Sequence, residues 1–277
     1  MTELQKIASQ VRRDILRMVH GAKNGHPGGA LGCADLFVLL YFKVMKHNKN
    51  FSMDGIGEDL FFLSNGHISA VYYSTLARAG YFDVKELASH RKLNSRLQGH
   101  PTPHEHLPGI RIASGSLGQG LSVAIGAAMA KKLNKDDRYV YVLMGDGEQQ
   151  EGQIWEAAMF APHNKIDNLI AFIDVNGQQI DGSTDKVLSL LDLGKKYEAF
   201  GWQVLTCDGN DIACLEETIA EAHAKKGNGI PNMILLKTDM GHPIDFMICT
   251  HKWHGVAPND EQKDLALLQL EETLGDY

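Results

Sequence analysis

Residues 139–144, 169–175, 202–207 and 233–236 form four short, almost continuously apolar runs rich in Val, Ile, Leu and aromatic side chains. A half-exposed strand would alternate apolar with polar, so runs like these suit strands buried on both faces. Helical patterns separate them, including residues 153–160 and 212–224. Strand–helix–strand alternation restricts the chain to an α/β fold, with a parallel sheet and helices on both faces. One further apolar run, residues 60–63, lies in a first half that otherwise reads as helical. The N-terminus carries Leu4, Ile7, Val11, Ile15 and Met18 at helical spacing. A last helix is expected to begin at Asn259, with Gln262 placed for a capping box. Neither a repeat nor a low-complexity linker interrupts this pattern, so residues 1–277 are expected to form a single domain.

The net charge of −7 argues against nonspecific binding to nucleic acid or to an anionic membrane. Cys33, Cys207, Cys214 and Cys249 include no C-x-x-C pair or zinc-finger spacing, and free thiols are expected. The N-terminal segment lacks the apolar stretch of a signal peptide, and no apolar run reaches membrane-spanning length. A cytoplasmic protein follows as the expectation.

The ends of the apolar runs carry the functional signal. They finish in Met-Gly-Asp-Gly, Ile-Asp-Val-Asn-Gly, Cys-Asp-Gly-Asn and Lys-Thr-Asp-Met-Gly-His. Open α/β sheets bind ligands outside the carboxyl ends of their strands, which is where these Gly and Asp residues gather. Turn chemistry alone explains any single one of them. The spacing of Asp146 and Asn176 is more telling, because thirty residues accommodate a strand, a crossover helix and a strand. The two ends then become neighbours. A carboxylate, an amide oxygen and a backbone carbonyl are hard ligands suited to Mg²⁺ or Ca²⁺, with phosphate or water completing the shell. Glycines at 145 and 147 allow close approach of a phosphate, and a helix opening near Glu151 would direct its amides to the same anion.

The pair GDGEQQEGQIWEA and NLIAFIDVNGQQIDG resembles the diphosphate–Mg²⁺ motif of thiamine-diphosphate enzymes, and of transketolases in particular. GHPGG at 25–29, SNGH at 64–67, QGHP at 98–101, GSLGQG at 115–120 and HGVAP at 254–258 follow in transketolase order. The resemblance covers roughly residues 10–260 and implies a thiamine-diphosphate-binding fold. It implies Mg²⁺ held by Asp146, Asn176 and the Gln178 carbonyl. Gly147, His67 and His254 would bind the diphosphate, Gly115 and Leu117 would line the aminopyrimidine side, and Ile180 would pack on the thiazolium. His26, His100 and His254 would face the reacting carbons of a sugar. Glu151 and Glu156 would sit at a subunit interface behind the pyrimidine.

Most of the 13 histidines are expected to be ordinary surface or core residues, namely His20, His47, His90, His104, His106, His163 and His223. His26, His67, His100 and His254 differ in lying beside glycine in non-periodic segments, where sites concentrate. His242 and His251 stay open, because the resemblance is poor over 239–253. Glu151 and Glu156 also fit a simple first-turn role in a helix. The basic cluster Arg91, Lys92 and Arg96 reads as a solvated face. Gly57-Glu58-Asp59 stands where the family commonly has an arginine-bearing segment.

The resemblance implies transfer of a two-carbon ketol unit from a ketose phosphate to an aldose phosphate, in the pentose phosphate pathway. It also implies that the glutamate and the aromatic residue for the aminopyrimidine come from a further domain, which does not appear before Tyr277. The expectation is therefore a split enzyme, in which a partner subunit carries the pyrimidine-binding domain in an α2β2 assembly. Two alternatives remain. One is a subunit of another split thiamine enzyme, of the 1-deoxyxylulose-5-phosphate synthase or 2-oxoacid dehydrogenase type. The other is a non-catalytic cofactor-binding subunit.

Overall fold

The continuously apolar runs are strands, and their two faces feed two separate cores. A computed structural model describes the whole chain, Met1–Tyr277. It begins with α1 (Glu3–Ala22), α2 (Pro27–Gly32), α3 (Ala34–Leu39) and a π-helical turn, Leu40–Val44. These lead to β1 (Leu60–Leu63), α4 (Ser69–Arg78) and α5 (Gln119–Leu133). The centre follows as β2 (Val140–Gly145), α6 (Gly152–His163) and β3 (Leu169–Val175). A small antiparallel hairpin, β4 (Gln178–Gln179) and β5 (Gly182–Ser183), precedes α7 (Thr184–Leu188) and α8 (Leu193–Phe200). The chain finishes with β6 (Gln203–Asp208), α9 (Ile212–Ala224), β7 (Asn232–Lys237) and α10 (Asp260–Leu268).

Five strands pair in the order β1-β2-β3-β7-β6, all in parallel. Successive side chains of a strand point to opposite faces. Phe61, Leu63, Tyr141, Leu143, Ile170 and Phe172 pack with α1, α3, α4 and α9. Leu60, Phe62, Val140, Val142, Met144 and Ile173 pack with α5, α6 and α8 on the other side. The doubly covered parallel sheet expected from the sequence is present. The run at 202–207 differs, because β6 is an edge strand whose residues 203–205 are half-buried and whose Thr206 is exposed.

Helix α1 is buried on more than its apolar stripe. Asp14 is 0% exposed, held by Arg78 at 2.8 Å and by the Ser74 hydroxyl at 2.8 Å, which ties α1 to α4. Arg12 pairs with Asp35. Arg13 donates to the carbonyls of Leu267 and Leu270 and to Asp276. The C-terminal segment therefore covers the polar side of α1. At the far end, Asn259 and Gln262 form the expected capping box on α10.

Candidate functional site

The carboxyl ends of β1, β2, β3 and β7 surround a cavity of about 300 Å³. Asp146 follows β2 and Asn176 follows β3. Gly145 pairs in register with Asp174, which makes the two ends neighbours. The Asp146 carboxylate joins them directly, accepting the Gly147 N–H at 2.7 Å on one oxygen and the Gly177 N–H at 2.6 Å on the other. The Asn176 amide nitrogen donates to Asp174 at 2.7 Å. Its oxygen is thereby oriented, and it accepts the Gln178 N–H at 2.9 Å. Asp174 is fully buried and also accepts the Thr238 hydroxyl.

Four histidines from distant segments converge on the same cavity. His26 stands at the start of α2 and His67 on the turn after β1. His100 lies in the loop after Gly99, and His254 on the turn after residue 253. The His26 ring centroid lies 5.1 Å from that of His67, 5.7 Å from His254 and 6.5 Å from His100. His67 and His254 stack at 5.2 Å. Gly115 makes one of these approaches possible. Its φ is +119°, and a Cβ there would lie 2.8 Å from the His100 ring.

Burial dominates the electrostatics. It pushes His26 down to about 4, with the charges of His254, Arg91 and His100 adding to the effect. It also holds His67, His100 and His254 below the ordinary histidine value. These rings are neutral near pH 7, and the buried Nδ1 atoms of His26 and His254 have no hydrogen-bond partner in the chain. At the other end, burial and the neighbouring Asp174 charge push Asp146 up to about 7. Burial likewise raises Asp174 and Glu148.

No Lys or Arg lines this cavity. Its acidic end therefore offers an anionic ligand no positive side chain, and a diphosphate fits only with a cation of its own. The donors present suit such a cation. The Asp146 carboxylate and the oriented Asn176 oxygen are hard ligands, and Gln178 lies on the same wall. No three His, Cys, Asp or Glu side chains converge as a ready-made cage, so the set depends on an amide, a carbonyl and ligand oxygens.

His26, His67, His100, His254, Gly115, Leu117, Asp146, Gly147, Glu151, Asn176, Gln178 and Ile180 all line the cavity. Glu156 does not. Five residues beyond Glu151 on α6, it points well around the helix and lines a separate groove with Ser122, Ile125 and Phe160. The Gly147 N–H donates to the Asp146 carboxylate at 2.7 Å. Glu151 is exposed at the cavity rim and Ile180 is 60% exposed. His242 and His251 stay outside; His242 lines a separate cleft with Arg12 and Asp35. Arg91 is no solvated side chain. It donates to Asn24 at 2.7 Å and to the Gly99 carbonyl at 3.2 Å, and it is close enough to His26 and His100 to lower both.

Several lining residues escape the sequence reading, among them Asn65, Glu148, Gln150, Asp174 and Met240. For two of them a signal exists. Asp174 lies two residues before Asn176, and Glu148 is a charged residue inside the glycine-flanked turn. Asn65, whose buried amide oxygen is also without a partner, lies in the quoted SNGH segment, where the sequence singles out only His67.

An open parallel sheet with a polar cavity at its strand ends defines a ligand-binding α/β protein of the doubly covered class. Residues 4–272 match the family described as the transketolase thiamine diphosphate binding domain, and the chain belongs to that family. It is 37% identical over 271 residues to one of the subunits of the apulose-4-phosphate transketolase of Actinobacillus succinogenes, covering 98% of this chain and 96% of that protein. It is also 37% identical over 272 residues to the 6-deoxy-6-sulfo-D-fructose transketolase subunit SqwG of a Clostridium species, covering 97% and 96%. Among solved structures, transketolase from Leishmania mexicana superposes with a TM-score of 0.89 at 34% identity over 96% of this chain. The chain spans 41% of the length of that transketolase.

Proposed function

We propose that this chain is the cofactor-binding subunit of a two-chain transketolase. In this reading it holds thiamine diphosphate through Mg²⁺ and moves a two-carbon ketol unit only when joined by a partner carrying the pyrimidine-binding domain. The observation that supports it best is the meeting, in one cavity without Lys or Arg, of the Asp146–Asn176 strand ends and the four-histidine cluster. When bound, thiamine diphosphate supplies the nucleophilic carbon that carries the transferred unit.

The residues of the chain do the rest. Asp146, Asn176 and the Gln178 carbonyl would hold the cation. Gly147, His67 and His254 would donate to the diphosphate. Gly115 and Leu117 would line the pyrimidine end, and Ile180 would pack on the thiazolium. Being neutral at pH 7, His26, His100 and His254 can bind sugar hydroxyls and take up or release a proton at a ring nitrogen. Glu151, exposed at the rim, is placed to meet a partner's carboxyl group. Glu156 is kept out of the cofactor contacts.

The relatives' names span a sugar phosphate and a sulfo-sugar. The donor is thus a ketose with an anionic group at its far end, and ketose phosphates of the pentose phosphate pathway are the first to try. Several relatives are themselves named as single subunits of transketolases, which supports a partner and, with the symmetry usual for such enzymes, an α2β2 assembly. The four thiols are free and no helix is long and apolar enough to cross a membrane. A cytoplasmic location fits both. Calorimetric titration of the assembled enzyme with thiamine diphosphate and Mg²⁺ tests the site, since Asp146→Ala should abolish the binding that the parent shows. Turnover of pyruvate instead of ketose and aldose phosphates would move the protein to another thiamine enzyme.

A further inference from the structure

Glu148 is 2% exposed, lines the cavity, and has no part in the roles given above. One of its oxygens accepts the Ser64 hydroxyl and the Gly118 N–H, the latter at 2.8 Å. The other accepts the Gly145 N–H at 3.0 Å. Ser64 in turn accepts the Gly120 N–H at 3.1 Å. Donors from the end of β1, the end of β2 and the start of α5 therefore meet on one side chain. Every partner of Glu148 is a donor, so the group must accept on both oxygens. A carboxylate does so, whereas an amide would present its NH₂ to one of the donors. The segment it holds is also unusual: Gly118 has φ +87°, and a Cβ there would lie 2.9 Å from the Glu151 Cβ. Gly115 and Leu117, in the cavity wall, immediately precede it, and Gly115 sits against His100.

We propose that Glu148 is a positioning residue, whose buried carboxylate clamps the 115–120 segment to the ends of β1 and β2 and so sets where Gly115, Leu117 and Glu151 stand around the cofactor. The inference rests on reading the cavity as a thiamine-diphosphate site. A purely structural role would also fill these hydrogen bonds. The distinction is that the segment being held is the wall of the cavity, so loss of the clamp should appear in ligand affinity beyond any loss of stability.

The test uses the full chain mixed with its partner subunit and titrated calorimetrically with thiamine diphosphate and Mg²⁺. Hydrogen exchange at the Gly118 and Gly120 amides and thermal melts accompany it. Glu148→Gln should weaken cofactor binding about tenfold or more, as expected for hydrogen bonds to a charged acceptor, and should speed exchange at Gly118. Ser64→Ala should do the same to a smaller extent. Tyr197→Phe removes a buried hydrogen bond to Gln149 and serves as the stability control, with affinity unchanged. Parent-like affinity in Glu148→Gln, whatever its melting temperature, overturns the proposal. Should that variant fail to fold, unchanged affinity and exchange in Ser64→Ala overturn it instead. Failure of the parent to bind, or full binding by Asp146→Ala, overturns the cofactor reading and this inference with it. Loss of binding in Asp146→Ala with none in Glu148→Gln removes only the clamp.

Discussion

Asp146 and Asn176 lie thirty residues apart in sequence, yet each directly follows one of two paired strands, and Asp146 accepts the N–H of Gly177, the residue after Asn176. Removing either from the assembled enzyme should lower metal-dependent cofactor affinity by roughly 100-fold or more, while the cores on both faces of the sheet remain. Calorimetry of Asn176→Ala checks this, and an unchanged affinity would contradict it. The histidines make a pH prediction. His26 is held at about 4 against an ordinary 6.5, so the folded state keeps it neutral while the unfolded chain protonates it below 6.5. Its contribution to stability is complete above 6.5, is lost as pH falls toward 4, and changes no further below. Asp146 is raised to about 7 and acts in the opposite sense over much of that window, so the comparison must be between parent and variant. In denaturant melts of the chain without cofactor, His26→Asn should lose stability less steeply than the parent between those two values. Parallel slopes would contradict the assignment. At this scale the sequence is informative wherever a functional side chain sits beside glycine, as the four histidines do. For Glu148 and Asp174 it marks the position beside the motif but not the role, which lies in partners at residues 64, 118 and 238 that no local pattern announces.

Strand β3 and helix α9 coincide with the apolar run and the helical pattern at 169–175 and 212–224, because burial on both faces of a strand and on one face of a helix leaves a local imprint. The edge strand β6 reads as more buried than it is, since its half-exposed residues are still largely apolar. Helix α1 misleads in the other direction. Its stripe of Ile and Val is real, but its polar side is also covered, by ion pairs with α3, α4 and the C-terminal segment. Those pairings join residues far apart in sequence. Two substitutions separate a buried contact from a local one. Asp14→Ala leaves the Arg78 guanidinium buried without its partner and should cost about 3–5 kcal/mol. Asn259→Ala removes only the cap of the terminal helix α10 and should cost about 1 kcal/mol. Urea melts would rank the two, and a larger loss in the Asn259 variant would contradict this account of how α1 is held.

At the scale of the molecule, the elements beside the cavity carry exposed apolar side chains. Met159 and Phe160 on α6, Val123 on α5, and Ile180, Leu188 and Leu191 beyond β3 are all exposed. Such a surface suits burial against another chain. The proposed partner would supply a carboxyl group and an aromatic face for the pyrimidine; no Phe, Tyr or Trp of this chain lines the cavity. Mixing should therefore convert two inactive proteins into one enzyme and should protect α5 and α6 from hydrogen exchange. The most direct measurement is glycolaldehyde transfer between a ketose phosphate and an aldose phosphate, with thiamine diphosphate and Mg²⁺, by rigorously purified chain before and after mixing with the partner. The account predicts no turnover before mixing and turnover that saturates with partner afterwards. Turnover by the chain alone, or none in any mixture that binds the cofactor, would contradict it.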